Sequence, residues 1–136
     1  MDFVNELRKR GKRITNAREV VCKILETSGH KHFTVEELHK LSLKKDKNID
    51  LATVYRTLEL LENINLIEHS HQVHGSGLYF VKDVHSNIHI VCESCGDISD
   101  LDIETSEKVN NLITSKTNFR EITNHFVYSG YCKKCK

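Results

Sequence analysis

Proline is absent from this chain of 136 residues, so turns and helix ends must be marked by Gly, Asn, Asp, Ser and Thr. No apolar run approaches the roughly 18 residues that a membrane-spanning helix needs, which excludes a helical transmembrane protein. The first residues alternate charge after Asp2 and hold no apolar stretch of the signal-peptide kind. The sequence therefore predicts a cytoplasmic protein. HExxH and HxE motifs are missing, as are internal repeats and low-complexity tracts. Net charge is almost nil at +1, and 38% hydrophobic with 29% charged residues fits a soluble globular chain of one or two small domains.

The charge that is present is unevenly spread. Residues 1–23 carry seven Lys or Arg (Arg8, Lys9, Arg10, Lys12, Arg13, Arg18 and Lys23) against Asp2, Glu6 and Glu19. Residues 81–136 carry seven basic and eight acidic groups. A basic end on a near-neutral protein suggests a polyanion partner for that end alone; the competing reading is a solvated helix face.

Apolar spacing gives the first half to helices. Phe3, Val4 and Leu7 mark a short amphipathic segment that ends in the basic run. Val20, Val21, Ile24 and Leu25 form one face of a helix opened near Thr15 or Asn16, with Gly29 beyond its end. Thr34 with Glu37 has the form of a capping box, followed by Val35, Leu38 and Leu41. Asp50 can cap a further helix whose Leu51, Val54, Leu58 and Leu61 are expected to face the core. Asn65 stands where a left-handed residue would end it.

After Asn65 the period changes. Leu66–His71 and Leu78–Val81 read as strands joined through Gly75-Ser76-Gly77. Helices followed by such a hairpin are the layout of a winged helix-turn-helix, here residues 1–81. Strands are expected at Ile88–Val91, Ile98–Leu101 and Glu121–Tyr128, with a helix through Ile103, Val109, Leu112 and Ile113. The expected class is α+β, with a small α/β second domain over residues 82–136.

The strongest chemical signal is Cys92-Glu93-Ser94-Cys95 with Cys132-Lys133-Lys134-Cys135. Two CxxC knuckles supply four thiolates for one tetrahedral Zn²⁺, and a site closed by four cysteines is structural. In a reducing compartment closely paired thiols hold metal more readily than they form disulfides. Cys22, beside Val21, reads as a small core residue.

Asp50-Leu51-Ala52-Thr53-Val54-Tyr55-Arg56-Thr57-Leu58 resembles the recognition-helix signature of the ferric uptake regulator family. Arg13-Ile14-Thr15 with Arg18, His32-Phe33-Thr34 with Glu36-Glu37-Leu38, His89-Ile90-Val91-Cys92 with Cys95-Gly96, and Gly130-Tyr131-Cys132 with Cys135 complete the pattern. The resemblance implies a homodimeric, metal-responsive transcription factor, usually a repressor, that binds double-stranded DNA at an inverted repeat. Thr53, Tyr55 and Arg56 would lie at the DNA, with Arg13 and Arg18 on phosphates.

The resemblance also implies a regulatory divalent ion, Fe²⁺, Zn²⁺ or Mn²⁺. His32, His89 and Asp100 match the family's regulatory site most directly, with His85 a fourth candidate. His85 and His89 are four residues apart, about 13 Å along a strand, and share one ion only if the chain bends at Ser86-Asn87. Departures from the family pattern fall on the sensor. Ala17 replaces a usual proline, Asn87 and Asn124 replace histidines, and Phe80 replaces an acidic ligand. Loss of a carboxylate speaks against peroxide sensing, which relies on carboxylate-rich iron coordination in related proteins. His69 and His71 alternate on one strand about 6.6 Å apart, a spacing that suits either a wing metal site or a polar wing surface against DNA. Glu104, Glu107 and His125 read more readily as a solvated face than as an accessory site.

Two other classes compete. A zinc enzyme needs an open coordination position that four cysteines do not leave. A zinc-stapled protein-interaction module would share the cysteines but lack salt-dependent binding to duplex DNA.

Overall fold

The structure, a computed structural model, describes residues 1–29, 31–70, 77–82, 88–120 and 126–135. The chain divides into two compact units, Met1–Lys82 and Asp83–Lys136. The first holds α1 (Phe3–Lys9), α2 (Asn16–Thr27), α3 (Val35–Leu43), α4 (Leu51–Asn63), β1 (Ile67–Ser70) and β2 (Leu78–Val81). Each helix starts where a side-chain oxygen can take up an otherwise orphaned backbone N–H. Asp2, Thr15, Thr34 and Asp50 accept from Asn5, Arg18, Glu37 and Thr53 respectively. The Thr34–Glu37 capping box is reciprocal, as its spacing predicts.

The caps place apolar faces inward. Phe3, Leu7, Val21, Leu25, Leu38, Val54, Leu58 and Leu61 form one core with Phe33, Ile49, Ile67 and Tyr79. Cys22 is fully buried in it, as expected of a small core residue, and burial first, then Glu26, pushes its thiol up to about 12. Leu51 departs from the expected core face. It lies 37% exposed in the first turn of α4, and Thr57 is buried in its stead. The inward stripe is thus Val54, Thr57, Leu58 and Leu61, the i, i+3, i+4, i+7 pattern. Thr57 tolerates burial because its hydroxyl donates to the Thr53 carbonyl at 2.8 Å.

Past α4, Asn65 takes φ 59°, the left-handed conformation expected of it. Asn65→Gly should hold stability to within about 1 kcal/mol, whereas Asn65→Ala should lose about 1–2 kcal/mol. Urea melts of the two variants check this; equal stabilities would show that the left-handed turn sets no such demand.

β1 and β2 pair antiparallel, with Ile67 opposite Val81, Glu68 opposite Phe80, His69 opposite Tyr79 and Ser70 opposite Leu78. Residues 71–76, which include His71 of the expected first strand and Gly75-Ser76 of the expected turn, lie outside the described ones. Phe33, just before α3, adds a bridge on the other side of β2: its N–H donates to the Tyr79 carbonyl at 2.9 Å, and the Tyr79 N–H returns one at 2.7 Å.

The second unit holds β3 (Ile88–Cys92), β4 (Ile98–Asp100), α5 (Ile103–Lys116) and β5 (Phe126–Gly130). Its sheet runs β4-β3-β5, antiparallel on the first side and parallel on the second. The last strand extends two residues beyond its expected end at Tyr128, and residues 121–125 of that expectation lie outside the described ones. Asp102 caps α5 by accepting from the Thr105 N–H at 2.8 Å and its hydroxyl at 2.7 Å. These bonds hold the Asp102 carboxyl below the usual carboxylate range. Of α5 only Ser106 is buried.

Candidate functional site

Parallel pairing of β3 with β5 brings two distant sequence segments to one sheet edge. Cys92 ends β3 opposite Gly130, the last residue of β5. Each strand therefore hands its CxxC knuckle to the same place. The first knuckle turns back so that Gly96 N–H donates to the Cys92 carbonyl at 2.9 Å and Cys92 N–H to the Asp97 carbonyl at 2.8 Å. Gly96 makes that turn at φ 75°, where a side chain would be strained. Glu93 N–H donates to the Gly130 carbonyl at 2.8 Å, tying the two knuckles together.

The four sulfurs of Cys92, Cys95, Cys132 and Cys135 lie within 4.8 Å of one another. Cys95 Sγ and Cys132 Sγ are 3.8 Å apart. A tetrahedron with Zn–S near 2.3 Å has edges of about 3.8 Å, so the spacing fits that ion. Electrostatics agree. Backbone N–H groups of Cys132 and Cys95 push the Cys92 thiol down to about 6. Cys135 is pushed up to about 12: the Ser94 hydroxyl favours its thiolate, but Cys132 and Cys95 outweigh it. Four crowded thiols cannot all ionise alone; a dication reverses that balance.

Antiparallel register sets His89 of β3 opposite Asp100 of β4. His89 is 4% exposed, and its Nδ1 lies 2.5 Å from Asp100 Oδ1. With Nδ1–H donating, the lone pair sits on Nε2, the arrangement by which a carboxylate orients a metal-binding imidazole. In the first unit the Phe33–Tyr79 bridge sets His32 beside Phe80, and the two rings stack with centroids 4.7 Å apart. His85 lies outside the described residues.

On the wing, His69 lies flat on Tyr79, centroids 4.2 Å apart and planes 6° from parallel. Its Nε2 crowds Gly77, where an added Cβ would approach to 2.1 Å. His71 and His125 lie outside the described residues. Glu104 pairs with Lys108 at 2.6 Å on an exposed face, which favours the solvated reading of that helix.

The outward side of α4 carries Tyr55, 47% exposed, and Arg56, also exposed. Thr53 is half-buried and serves the cap, since its N–H donates to Asp50 Oδ1 at 2.8 Å. Hydrogen bonds from Thr53 hold the Asp50 carboxyl below its ordinary range. Arg13 is exposed, and Arg18 Nη1 donates to the Arg13 carbonyl at 2.5 Å. Arg18 thereby fixes the loop that presents Arg13, a role that its sequence position alone did not show.

A helix-turn-helix unit with a β-hairpin wing, joined to an α/β unit with a four-cysteine centre, defines a winged-helix transcriptional regulator. Residues 9–129 match the ferric uptake regulator family. The peroxide-responsive repressor PerR of Staphylococcus epidermidis is 33% identical, over 99% of this chain and 89% of that protein. The Helicobacter pylori ferric uptake regulator Fur has a TM-score of 0.80 at 29% identity, covering 98% of this chain and 88% of its own. The Campylobacter jejuni peroxide stress regulator has a TM-score of 0.70 at 27% identity, over 99% of this chain and 100% of its own. This chain belongs to the ferric uptake regulator family and is a metal-responsive, DNA-binding transcriptional regulator. Regulators of this family bind DNA and are dimers.

Proposed function

We propose that this chain is a cytoplasmic, non-enzymatic repressor that binds an inverted-repeat operator as a homodimer when a divalent ion occupies a regulatory site. The first unit reads DNA and the second dimerises. One observation carries the DNA reading: α4 buries Val54, Thr57, Leu58 and Leu61 while exposing Tyr55 and Arg56 on its outward face. In the major groove Tyr55 can contact a thymine methyl, and Arg56 a guanine edge or a phosphate. Arg13 and Arg18, with the Lys/Arg run before them, supply phosphate contacts.

Dimerisation has its own support. α5 leaves Ile103 46% and Leu112 60% exposed, and the register partners Ile90 and Tyr128 of the sheet are exposed at 40% and 47%. A second copy of this unit would cover such surfaces and pair two recognition helices with two half-sites.

The four cysteines hold structural Zn²⁺. His32, His89 and Asp100, with His85, hold the regulatory Fe²⁺, Zn²⁺ or Mn²⁺. His69 and His71 are the second proposed place for an ion, on the wing. The reading draws on the family pattern, on the His89–Asp100 bond and on the half-buried place of His32 beside Phe80.

Tyr55→Ala and Arg56→Ala should each weaken operator binding by roughly 1–3 kcal/mol with fold and zinc content unchanged. Lys9→Ala and Lys12→Ala should instead weaken binding to every sequence and lower the salt slope by about one each. Titrations of operator and scrambled duplexes at several salt concentrations separate the two effects. Wild-type operator affinity in both α4 variants would remove this docking, and a protein-interaction module would take its place.

A further inference from the structure

A second basic run, separate from the one before α2, lies in the turn that joins α3 to α4. Lys44, Lys45 and Lys47 stand within four residues, and all three are exposed. Among the described residues none of them joins an ion pair, whereas Lys9, Lys23, Lys82 and Lys108 do. The acids of the segment are engaged elsewhere. Asp46 accepts from the Asn48 N–H at 2.9 Å through Oδ1 and from the Asn16 side-chain amide at 2.6 Å through Oδ2. Asp50 caps α4. The turn is fixed at both ends. The N–H groups of Lys45 and Asp46 donate to the Ser42 carbonyl at 2.9 and 3.0 Å, and His39 Nε2 lies 2.9 Å from the carbonyl oxygen of the buried Ile49. Asn16 opens α2, three residues after Arg13. Its bond to Asp46 therefore draws the lysine turn to the end of α2 that carries Arg13.

We propose that this turn is a second phosphate-binding element, in which Lys45 and Lys47 hold the DNA backbone at the lip of the groove that α4 enters. This rests on the reading of α4 as the recognition helix. Such a helix puts its N-terminal residues on base edges, so the chain just before it passes the phosphates that border the groove. A lysine there needs only the reach of its own side chain to meet one. The competing account is a solvated charge run. Solvated lysines elsewhere in this chain stand beside an acid one turn away: Lys9 with Glu6, Lys23 with Glu19 and Lys108 with Glu104. Lys45 and Lys47 instead flank an acid that is bound to Asn16 and Asn48. Lys44 is set apart, because as the C-cap of α3 it already complements the carbonyl end of that helix.

The test is an anisotropy titration of the full-length protein on operator and scrambled duplexes, from about 0.05 to about 1 M salt. Lys45→Ala and Lys47→Ala should each lower the salt slope on both duplexes, by about one for each chain bound. At about 0.15 M salt that is a loss of roughly fivefold in affinity for each chain bound, fading as salt approaches about 1 M. Lys45→Arg keeps the charge and should keep the slope. Lys108→Ala removes an equal charge from the second unit and should leave the slope unchanged. An unchanged slope in the Lys45→Ala, Lys47→Ala double variant overturns the proposal and leaves the run a solvated surface. A loss that persists undiminished at high salt overturns it too, since the lysines would then support the fold and not a phosphate contact. Tyr55→Ala and Arg56→Ala keep the two readings apart. If these lose operator affinity while the lysine variants lose nothing, the docking of α4 stands and only the role of the turn falls. If the lysine variants lower the slope but both α4 variants bind operator as the wild type does, the docking itself fails, and the placement proposed for the turn fails with it.

Discussion

Replacing Cys92 or Cys135 by serine should release the structural zinc and unfold the second unit while the first keeps its core. The apolar burial of that unit is thin. Ile88, Val91 and Cys92 are its buried apolar residues among the described ones, and α5 buries only Ser106. A unit so small needs a metal or a partner to stay folded. Structural zinc supplies an apparent 10–16 kcal/mol or so at neutral pH, comparable with or larger than the roughly 5–15 kcal/mol by which whole domains are stable. The ion joins the end of β3 to the chain that follows β5, so its loss frees both knuckles together. Zinc content by mass spectrometry and two-transition melting curves read the outcome. Cys22→Ser serves as the contrast: it perturbs the first core and retains the zinc. A Cys135→Ser protein that keeps a full zinc equivalent and dimeric mass would refute the assignment.

What the sequence disclosed was whatever local chemistry decides. Asp50, Thr34 with Glu37, and Asn65 announce helix ends because each satisfies a backbone group or adopts a dihedral within a few residues of itself. The paired CxxC knuckles announce a metal centre because ligand type and spacing are themselves local. Leu51 misled because hydrophobicity suggests burial, whereas the first turn of α4 points it outward. Thr57 stayed hidden because its polarity is cancelled only by a bond to the carbonyl one turn back.

Register was the larger gap. The parallel pairing of β3 with β5 brings Cys92 level with Gly130 across 38 positions of sequence, and no local rule carries that information. Two-residue alternation sets His69 and His71 on one face in sequence, and His71 lies outside the described residues; the ring of His69 lies on Tyr79, its partner in the β1–β2 register. The same register sets Glu68 against Phe80. In the sequence those two residues stand 12 places apart, with nothing to connect them.

His32→Ala and His89→Ala should abolish metal-dependent operator binding while each chain retains one structural zinc. In the proposed role the ion favours the state of the dimer in which two recognition helices meet half-sites about one helical turn, roughly 34 Å, apart. A ligand shifts such an equilibrium only by its differential affinity for the two states. Couplings of this kind run to about 1–3 kcal/mol per site, and a symmetric dimer carries two sites, so affinity should change by roughly 2–6 kcal/mol in all. Linkage demands the reverse as well: operator DNA should tighten binding of the two ions by the same total, about 1–3 kcal/mol for each ion. Anisotropy titrations of operator DNA at fixed ion concentrations, and ion titrations with and without DNA, measure the two halves independently. The His89 variant adds a discriminating detail, because Asp100→Asn should weaken the ion less than His89→Ala if Asp100 serves chiefly to orient the ring. Wild-type metal dependence in both histidine variants would exclude the proposed regulatory role of His32 and His89 and direct attention to the wing, where His69 and His71 would be the next residues to replace.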